Sequence, residues 1–452
     1  KGSLNTFLNA MTYPDKTMYP LASCNDTDFH NLMHVYLDAV FYPNIYRHEE
    51  IFRQEGWNYQ LESEAGELAY NGVVYNEMKG AFSSPEEVID REIMNTLFPD
   101  TPYGVESGGD PDCIPDLTYE AYLDFHRRYY HPSNSYLYLY GNMDMERELA
   151  WIDEKYLSCF EELRVESEIP LQKPFEKMQE LYREYPVSEE ESLENNTYLT
   201  YNVVVGTSLD VELANAFAVL DYALLSSPGA VLKQALLDAG IGTDIMSNYE
   251  SGIRQPFYSI IAKNANAKDK DRFVKVIRTV LEEAAEKGID KGALLAGINV
   301  MEFKAREADY GSYPKGLMYG LDVFDSWLYD DSRPFDYLRF DVYEKLREDL
   351  DKGYFESLIR TYLLENTHGS ILVAEPRRGL TAKHEEEVCR KLAAFKASLS
   401  EDERRKLVEK TKKLREFQEA PSTQEELEKI PMLTRADIGM KAAGFQNTEY
   451  TC

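Results

Sequence analysis

Two stretches far apart in this chain end in the same way. FHRRYYHPSNSYLYLYGN at 125–142 and FESLIRTYLLENTHGSILVAEP at 355–376 each carry an amphipathic helix through a polar turn into an apolar strand. A fold that uses one supersecondary ending twice is constrained to two related units of mixed α and β structure. The rest of the pattern fits. TFLNAMTY, a Pro-Asp-Lys turn at 14–16 and TMYPLAS predict a hairpin over 3–23, and NTYLTYNVVVGT and PFYSIIAK predict strands in the second unit. Residues 1–144 and 196–376 are therefore expected to superpose as two copies of one fold.

Between and after these strands the periodicity is helical. Leu32, Val35, Tyr36, Ala39 and Val40 form one stripe; Val88, Ile89, Ile93, Met94 and Leu97 form another behind Ser84-Pro85; Leu213, Phe217, Leu220 and Leu224 form a third. Thr118 is placed to cap the helix preceding SYLYLYGN, which reads as a buried strand. Residues 99–117 read as a long Gly- and Pro-rich loop, and about 165–195 as a polar connection between units. From 377 to 431 strand patterning stops. Val388, Leu392, Phe395 and Leu399, followed by a Ser400/Glu403 capping box, predict a helical hairpin that joins larger bodies.

A net charge of −31 argues against nucleic acid or an anionic membrane as partner and favours basic or neutral ligands. No apolar run reads as a membrane span and no secretory signal is visible. The five cysteines are scattered without C-x-x-C spacing, which points to a reducing, cytoplasmic setting rather than to disulfides or a cysteine zinc site.

Three places invite a chemical reading. His30, His34 and Asp38 have metal-compatible spacing but lie opposite the Leu32/Val35/Ala39 stripe, so they are expected on a solvated face. GVESGGDPD lacks the Lys-Ser/Thr of a phosphate loop and reads as an ordinary loop. Glu77 in NGVVYNEMKGAF differs: on a helix it falls inside the apolar arc of Val73, Ala81, Val74, Met78, Phe82 and Tyr75. A carboxylate there is either a hydrogen-bonded buried acid or a metal ligand, and spacing alone leaves both open.

The segments KGSLNTFLNAMTYPDKTMYPLAS, NGVVYNEMKGAFSSP and PYGVESGGDPDCIPDLTYEAYLDFHRRYYHPSN, with FKASLSEDERRKL through EKIPMLTRADI, resemble the presequence protease branch of the pitrilysin/insulinase superfamily of zinc peptidases. The resemblance runs from Lys1 to about Ile438. It implies an α+β fold: two homologous pitrilysin-like α/β sandwich domains with antiparallel-rich sheets, 1–168 (truncated at its N-terminus) and 186–376, then a helical hairpin linker at 377–431 and the start of a second half at 432–452.

The resemblance also implies roles. Glu77 matches the distal glutamate that holds Zn2+, while both histidine ligands and the base glutamate of an HxxEH motif are expected upstream of Lys1, so no catalytic residue is expected in this chain. Either the chain is a piece beginning inside the first domain, as its opening in mid-hairpin suggests, or it is a relative that lost the motif. Leu8, Asn9, Ala10, Met11 and Thr12 match a sheet edge onto which substrate adds as a strand. The expected partners are unstructured peptides and the C-terminal half of the same polypeptide. The intact protein is expected to be a metal-dependent endopeptidase, and this chain alone neither to retain zinc nor to cleave; the alternative is a non-catalytic peptide-binding or scaffold subunit. Glu77 is expected to point into a cavity.

Overall fold

The computed structural model describes Leu4 and residues 6–438. The chain opens with one interrupted hairpin: β1 (Phe7–Leu8) and β2 (Met11–Thr12) run against β3 (Thr17–Met18) and β4 (Leu21–Ala22), with Phe7 opposite Ala22 and Met11 opposite Met18. The Tyr13 N–H donates to the Lys16 carbonyl and closes the Pro14-Asp15 turn. Helix α1 (Asp26–Phe41) follows, capped by the Asn25 side chain, then α2 (Glu49–Glu55) and a ribbon of β5 (Asn58–Gln60) with β6 (Ala69–Asn71). Next come α3 (Val73–Ala81), α4 (Pro85–Leu97), α5 (Tyr119–Tyr129), capped by Thr118, and α6 (Met145–Lys155).

The second unit holds the large sheet. Strands β7 (Gln179–Val187), β8 (Thr197–Val204), β9 (Asp244–Glu250), β10 (Phe257–Ala265) and β11 (Gly369–Arg378) lie in the order β7-β11-β8-β10-β9, antiparallel except for the β11–β7 pair. The sheet thus begins at Gln179, inside the stretch expected to be a connection and ahead of the expected boundary at 186. Neither β7 nor β9 has the apolar run that betrays a buried strand, because both are edge strands. Helices α7 (Val211–Asp221), α8 (Val231–Asp238), α9 (Lys270–Lys287), α10 (Lys291–Glu307), α11 (Lys315–Trp327), α12 (Asp341–Asp349) and α13 (Tyr354–Leu358) complete the unit. The stretch Val211–Asp238 is long and apolar enough to cross a membrane by length and composition alone. Here Leu213, Phe217, Leu220 and Leu224 sit in the core against β8 and β10.

The opposite face of this sheet is covered from the first unit. Val88, Ile89, Ile93 and Leu97 of α4, with Phe98 and Tyr103, pack on Tyr198, Phe257, Ile261 and Leu372. Each such fully buried aliphatic side chain contributes about 1.5–3 kcal/mol, so the two units share a core. The hairpin α14 (Leu380–Ser398) and α15 (Glu401–Glu419) forms as expected, with the Ser400/Glu403 capping box intact, and is followed by the short α16 (Gln424–Glu428). It lies on the first unit: Leu392 and Leu407 meet Leu61, and the Leu61 N–H donates to Thr411 Oγ1 at 3.0 Å. Most of the expected second-half segment, residues 439–452, falls outside the described residues.

Two expectations about the first unit fail. SYLYLYGN forms no strand and pairs with none among the described residues, and Leu137 and Tyr140 are exposed. Helix α1 buries Met33, Leu37 and Phe41 against Ile152 and Tyr156, not the Leu32/Val35/Ala39 stripe, whose Val35 is exposed. The units share an order of elements from the hairpin onward, but the first has two-stranded pairs where the second has a five-stranded sheet.

Candidate functional site

The helix carrying Glu77 is fixed at its start by glycine. Gly72 has φ +150°, and a Cβ there would lie 2.2 Å from the Gly56 carbonyl oxygen, a crossing that only glycine permits. The Tyr75 N–H donates to that oxygen at 3.3 Å, and the Tyr75 ring is buried against Trp57 and Ile114. This docking turns the Tyr75 end of the apolar arc inward and leaves Val73 and Val74 exposed. Glu77 lies on the same outward face: it is exposed and does not line the large cavity described below, contrary to the expectation that it would point into a cavity. Among the described residues no group of three or more His, Cys, Asp or Glu side chains could hold a metal. Glu77 is one oxygen donor, and these residues alone do not make a zinc site.

The large cavity lies elsewhere. It has a volume of about 1980 Å³ and runs between the β3–β4 arm, α1, the 134–144 segment and α11. Its walls are apolar where Met18, Leu21, Met33, Phe41, Leu139 and Ile152 meet it, and polar where the hairpin turn meets the second unit. There Asp15 accepts hydrogen bonds from the Tyr103 hydroxyl (2.6 Å) and the Tyr329 hydroxyl (2.5 Å), and the Lys16 ammonium donates to the Gly252 carbonyl at 2.7 Å. Burial pushes Asp325 up to about 7 despite the opposing pull of Lys16, and pushes Asp322 up to about 6. Burial also raises Glu250, although the Gly252 N–H and Lys16 oppose it. The sequence reading took Pro14-Asp15-Lys16 only as a turn; the conjunction of Asp15, Tyr103 and Tyr329 arises from residues too distant for any local pattern to join.

Leu8, Asn9, Ala10 and Thr12 are exposed, and Met11 is half-buried. Their strand is bonded to the 17–22 arm on one side, with Asn9 donating to the Pro20 carbonyl at 3.2 Å, and no strand lies along the other side among the described residues. The Asn9 carbonyl accepts from the Tyr36 hydroxyl at 2.8 Å. Thr12 reaches the cavity wall; Leu8 to Met11 and Glu77 do not, so the structure does not gather the expected substrate and metal residues around one void.

His30, His34 and Asp38 keep partly solvated side chains, with Asp38 exposed, but they also make contacts that the sequence reading did not foresee. His30 Nδ1 is 2.8 Å from Glu148 Oε2, its ring packs on Trp151 at 4.4 Å, and the Tyr156 hydroxyl donates to Asp38 at 2.8 Å. Burial would raise the Glu148 carboxyl, but hydrogen bonds from Arg147 and His30 hold it below its usual range. The three residues anchor α6 to α1, a structural task.

A family profile described as "Peptidase M16 inactive domain" matches residues 116–301, and a second, for the region associated with the C subgroup of the same peptidases, matches 375–451. Protein HypA of Clostridium perfringens is 49% identical over 450 residues, 99% of this chain and 46% of that protein. Presequence protease 1, chloroplastic/mitochondrial, of Arabidopsis thaliana is 37% identical over 97% of this chain and 41% of its own length. The mitochondrial presequence protease of Xenopus laevis is 32% identical over 96% and 42%. The chain therefore spans less than half the length of these relatives. Among solved structures, a putative M16-like peptidase from Alicyclobacillus acidocaldarius shares the fold at a TM-score of 0.59 and 17% identity, over 83% of this chain and 81% of that one. The first half of the periplasmic protease PqqL from Escherichia coli does so at 0.54 and 14%, over 92% and 81%.

Proposed function

The chain belongs to the M16 (pitrilysin) superfamily, in its presequence protease branch, and from that premise we propose that it is the first half of a peptidase that degrades unstructured peptides. The observation that carries the reading is the strand at Leu8–Thr12, bonded on one side and, among the described residues, paired with no strand on the other, within a chain matched to presequence proteases over nearly its full length. An open edge offers N–H and C=O groups to any extended chain regardless of its sequence, which suits a substrate defined by lack of structure. Leu8, Asn9, Ala10, Met11 and Thr12 would hold the peptide backbone, and the net charge of −31 would draw basic peptides to it. The C-terminal half of the same polypeptide would complete the chamber.

In this reading Glu77 contributes one carboxylate to a zinc site whose other donors lie outside residues 1–452, and no step of peptide cleavage is assigned to the described residues. A non-catalytic peptide-binding or scaffold subunit is the second reading, favoured by the inactive-domain profile over 116–301 and by the lack of a metal-ligand group among the described residues. The two separate in one assay. The complete gene product should cleave an unstructured fluorogenic peptide in a chelator-sensitive way while residues 1–452 alone do not; a complete product that binds the peptide without cutting it selects the scaffold.

A further inference from the structure

The first hairpin keeps one register along its length, and one donor in it is missing. Phe7 pairs with Ala22, Leu8 with Leu21, Met11 with Met18 and Thr12 with Thr17, so the same register sets Asn9 opposite Pro20. The Tyr13 N–H donates to the Lys16 carbonyl at 2.9 Å and the Asn9 N–H to the Pro20 carbonyl at 3.2 Å, which makes Asn9 and Pro20 a hydrogen-bonded pair of the antiparallel ladder. In such a pair each residue donates to the other. Pro20 has no N–H to return, and regular pairing lapses at Asn9-Ala10 and Tyr19-Pro20.

Tyr36 supplies a donor in its place. Its hydroxyl donates to the Asn9 carbonyl at 2.8 Å. The side chain is delivered by a fixed helix, since its neighbours on α1, Met33 and Leu37, are buried in the cluster with Ile152 and Tyr156. The Tyr36 ring meets the Tyr19 ring edge-on at 6.0 Å, and the Tyr19 hydroxyl lies 3.2 Å from that of Tyr130 at the end of α5. The phase of the ladder then decides what faces away from the arm. With Asn9 and Tyr13 bonded to it, the alternation turns the backbone groups of Leu8, Ala10 and Thr12 outward. Ala10 shows this directly: its N–H donates to the Asn9 side-chain Oδ1 at 3.0 Å, not to the arm. The Asn9 carbonyl and the Ala10 N–H belong to one planar trans peptide group and point in opposite directions. Whatever holds the first inward aims the second outward.

We propose that Tyr36 is a positioning residue for peptide binding: by holding the Asn9 carbonyl in place of the N–H that Pro20 lacks, its hydroxyl fixes the Asn9-Ala10 peptide plane and aims the Ala10 N–H at the backbone of a docking peptide. This rests on the reading of Leu8–Thr12 as the peptide-binding edge. Until a peptide arrives, the Asn9 side chain keeps the Ala10 donor satisfied, as an unpaired edge requires. Tyr36 acts through the strand, so it sets affinity and takes no part in bond cleavage.

Amide hydrogen exchange and peptide affinity test it, measured on the complete gene product and on its Tyr36→Phe and Tyr36→Phe/Pro20→Ala variants. Without peptide, Tyr36→Phe should speed exchange of the Asn9 and Ala10 amides about 5- to 10-fold, the worth of one neutral hydrogen bond, and leave the amides of β8 and β10 unmoved. It should raise KM for an unstructured fluorogenic peptide by a similar factor, or Kd where the product binds without cutting, and keep kcat within about twofold. Adding Pro20→Ala returns an N–H to the arm and should reverse both changes. Exchange at Asn9 and Ala10 that Tyr36→Phe does not move overturns the proposal and leaves the edge reading standing. So does faster exchange that Pro20→Ala fails to reverse, or that spreads to β8 and β10, since Tyr36 would then act by packing. Exchange that speeds and recovers while peptide affinity stays unmoved, or while the parent binds no peptide, shows that Leu8–Thr12 is not the binding edge, and the positioning role falls with that reading.

Discussion

Asp15, in the turn of the first hairpin, accepts a hydrogen bond from the hydroxyl of Tyr329, 314 residues later in the chain, and this contact ties the turn to the second unit. The Tyr103 hydroxyl donates to the same carboxylate oxygen, and the Asp15 side chain is 1% exposed. Hydrogen bonds to a buried charge are worth about 1.5–3 kcal/mol each, and removing the acceptor leaves two donors unsatisfied. Asp15→Ala should therefore lower unfolding stability by about 3 kcal/mol or more, and Tyr329→Phe by about 1.5–3 kcal/mol, read from urea denaturation.

The same junction predicts a pH dependence. Asp325 is raised to about 7 and Asp322 to about 6, both chiefly by burial, and Glu250 is raised for the same reason; Lys16 and Asp15 are the other charges facing Asp325. A carboxyl whose folded pKa exceeds its unfolded value binds its proton more tightly in the folded state. The folded state therefore gains stability as pH falls through the folded pKa, until the unfolded pKa near 4 is reached. Between pH 8 and about pH 5 this junction should become more stable. Asp325→Asn should raise stability at pH 8 and flatten the rise; a melting temperature in Asp325→Asn that still climbs as steeply as in the parent would show that other groups carry it.

The helical hairpin should be held by buried groups and not by surface charge. Thr411 supplies the acceptor for the buried Leu61 N–H, so Thr411→Val keeps the shape, strands that donor and should cost about 1–3 kcal/mol. Lys79 and Glu385 form an ion pair at 2.9 Å between α3 and α14, but both side chains are about half exposed. Exposed pairs are worth about 0–1 kcal/mol, so Lys79→Ala should change stability by less than about 0.5 kcal/mol in the same denaturation series.

What was legible in the sequence follows from where each residue finds its partner. The β8 and β10 strands, the α7 stripe and the Ser400/Glu403 cap were readable because local pattern and final contact agree. Strands β7 and β9 were not, since an edge strand needs no apolar run. The α1 stripe misled for a different reason: Leu32, Val35 and Ala39 make a sound apolar face, but Met33, Leu37 and Phe41 found Ile152 and Tyr156. Glu77 repeats the case. Its arc is apolar, yet Gly72 and Tyr75 dock the helix by the far end of that arc. The Asp15 junction was invisible because its members are 88 and 314 residues apart.

Glu77 provides the last test because its two readings make opposite demands on stability. A structural acid would be partnered, and its loss would be felt in folding; an exposed carboxylate waiting for donors from elsewhere would not. The exposed setting in residues 1–452 predicts that Glu77→Gln changes their stability by less than about 0.5 kcal/mol. A lone oxygen donor competes poorly with water for a metal that needs three protein ligands, so residues 1–452 should lose zinc on dialysis whether or not Glu77 is changed. In the complete gene product the same substitution should remove most of the zinc retained after dialysis, measured by atomic absorption, with the melting curve of the metal-free protein unmoved. Full zinc retention by the substituted complete product would sink Glu77 as a ligand. A fall of several degrees in the metal-free melting temperature would return it to the role of a structural acid.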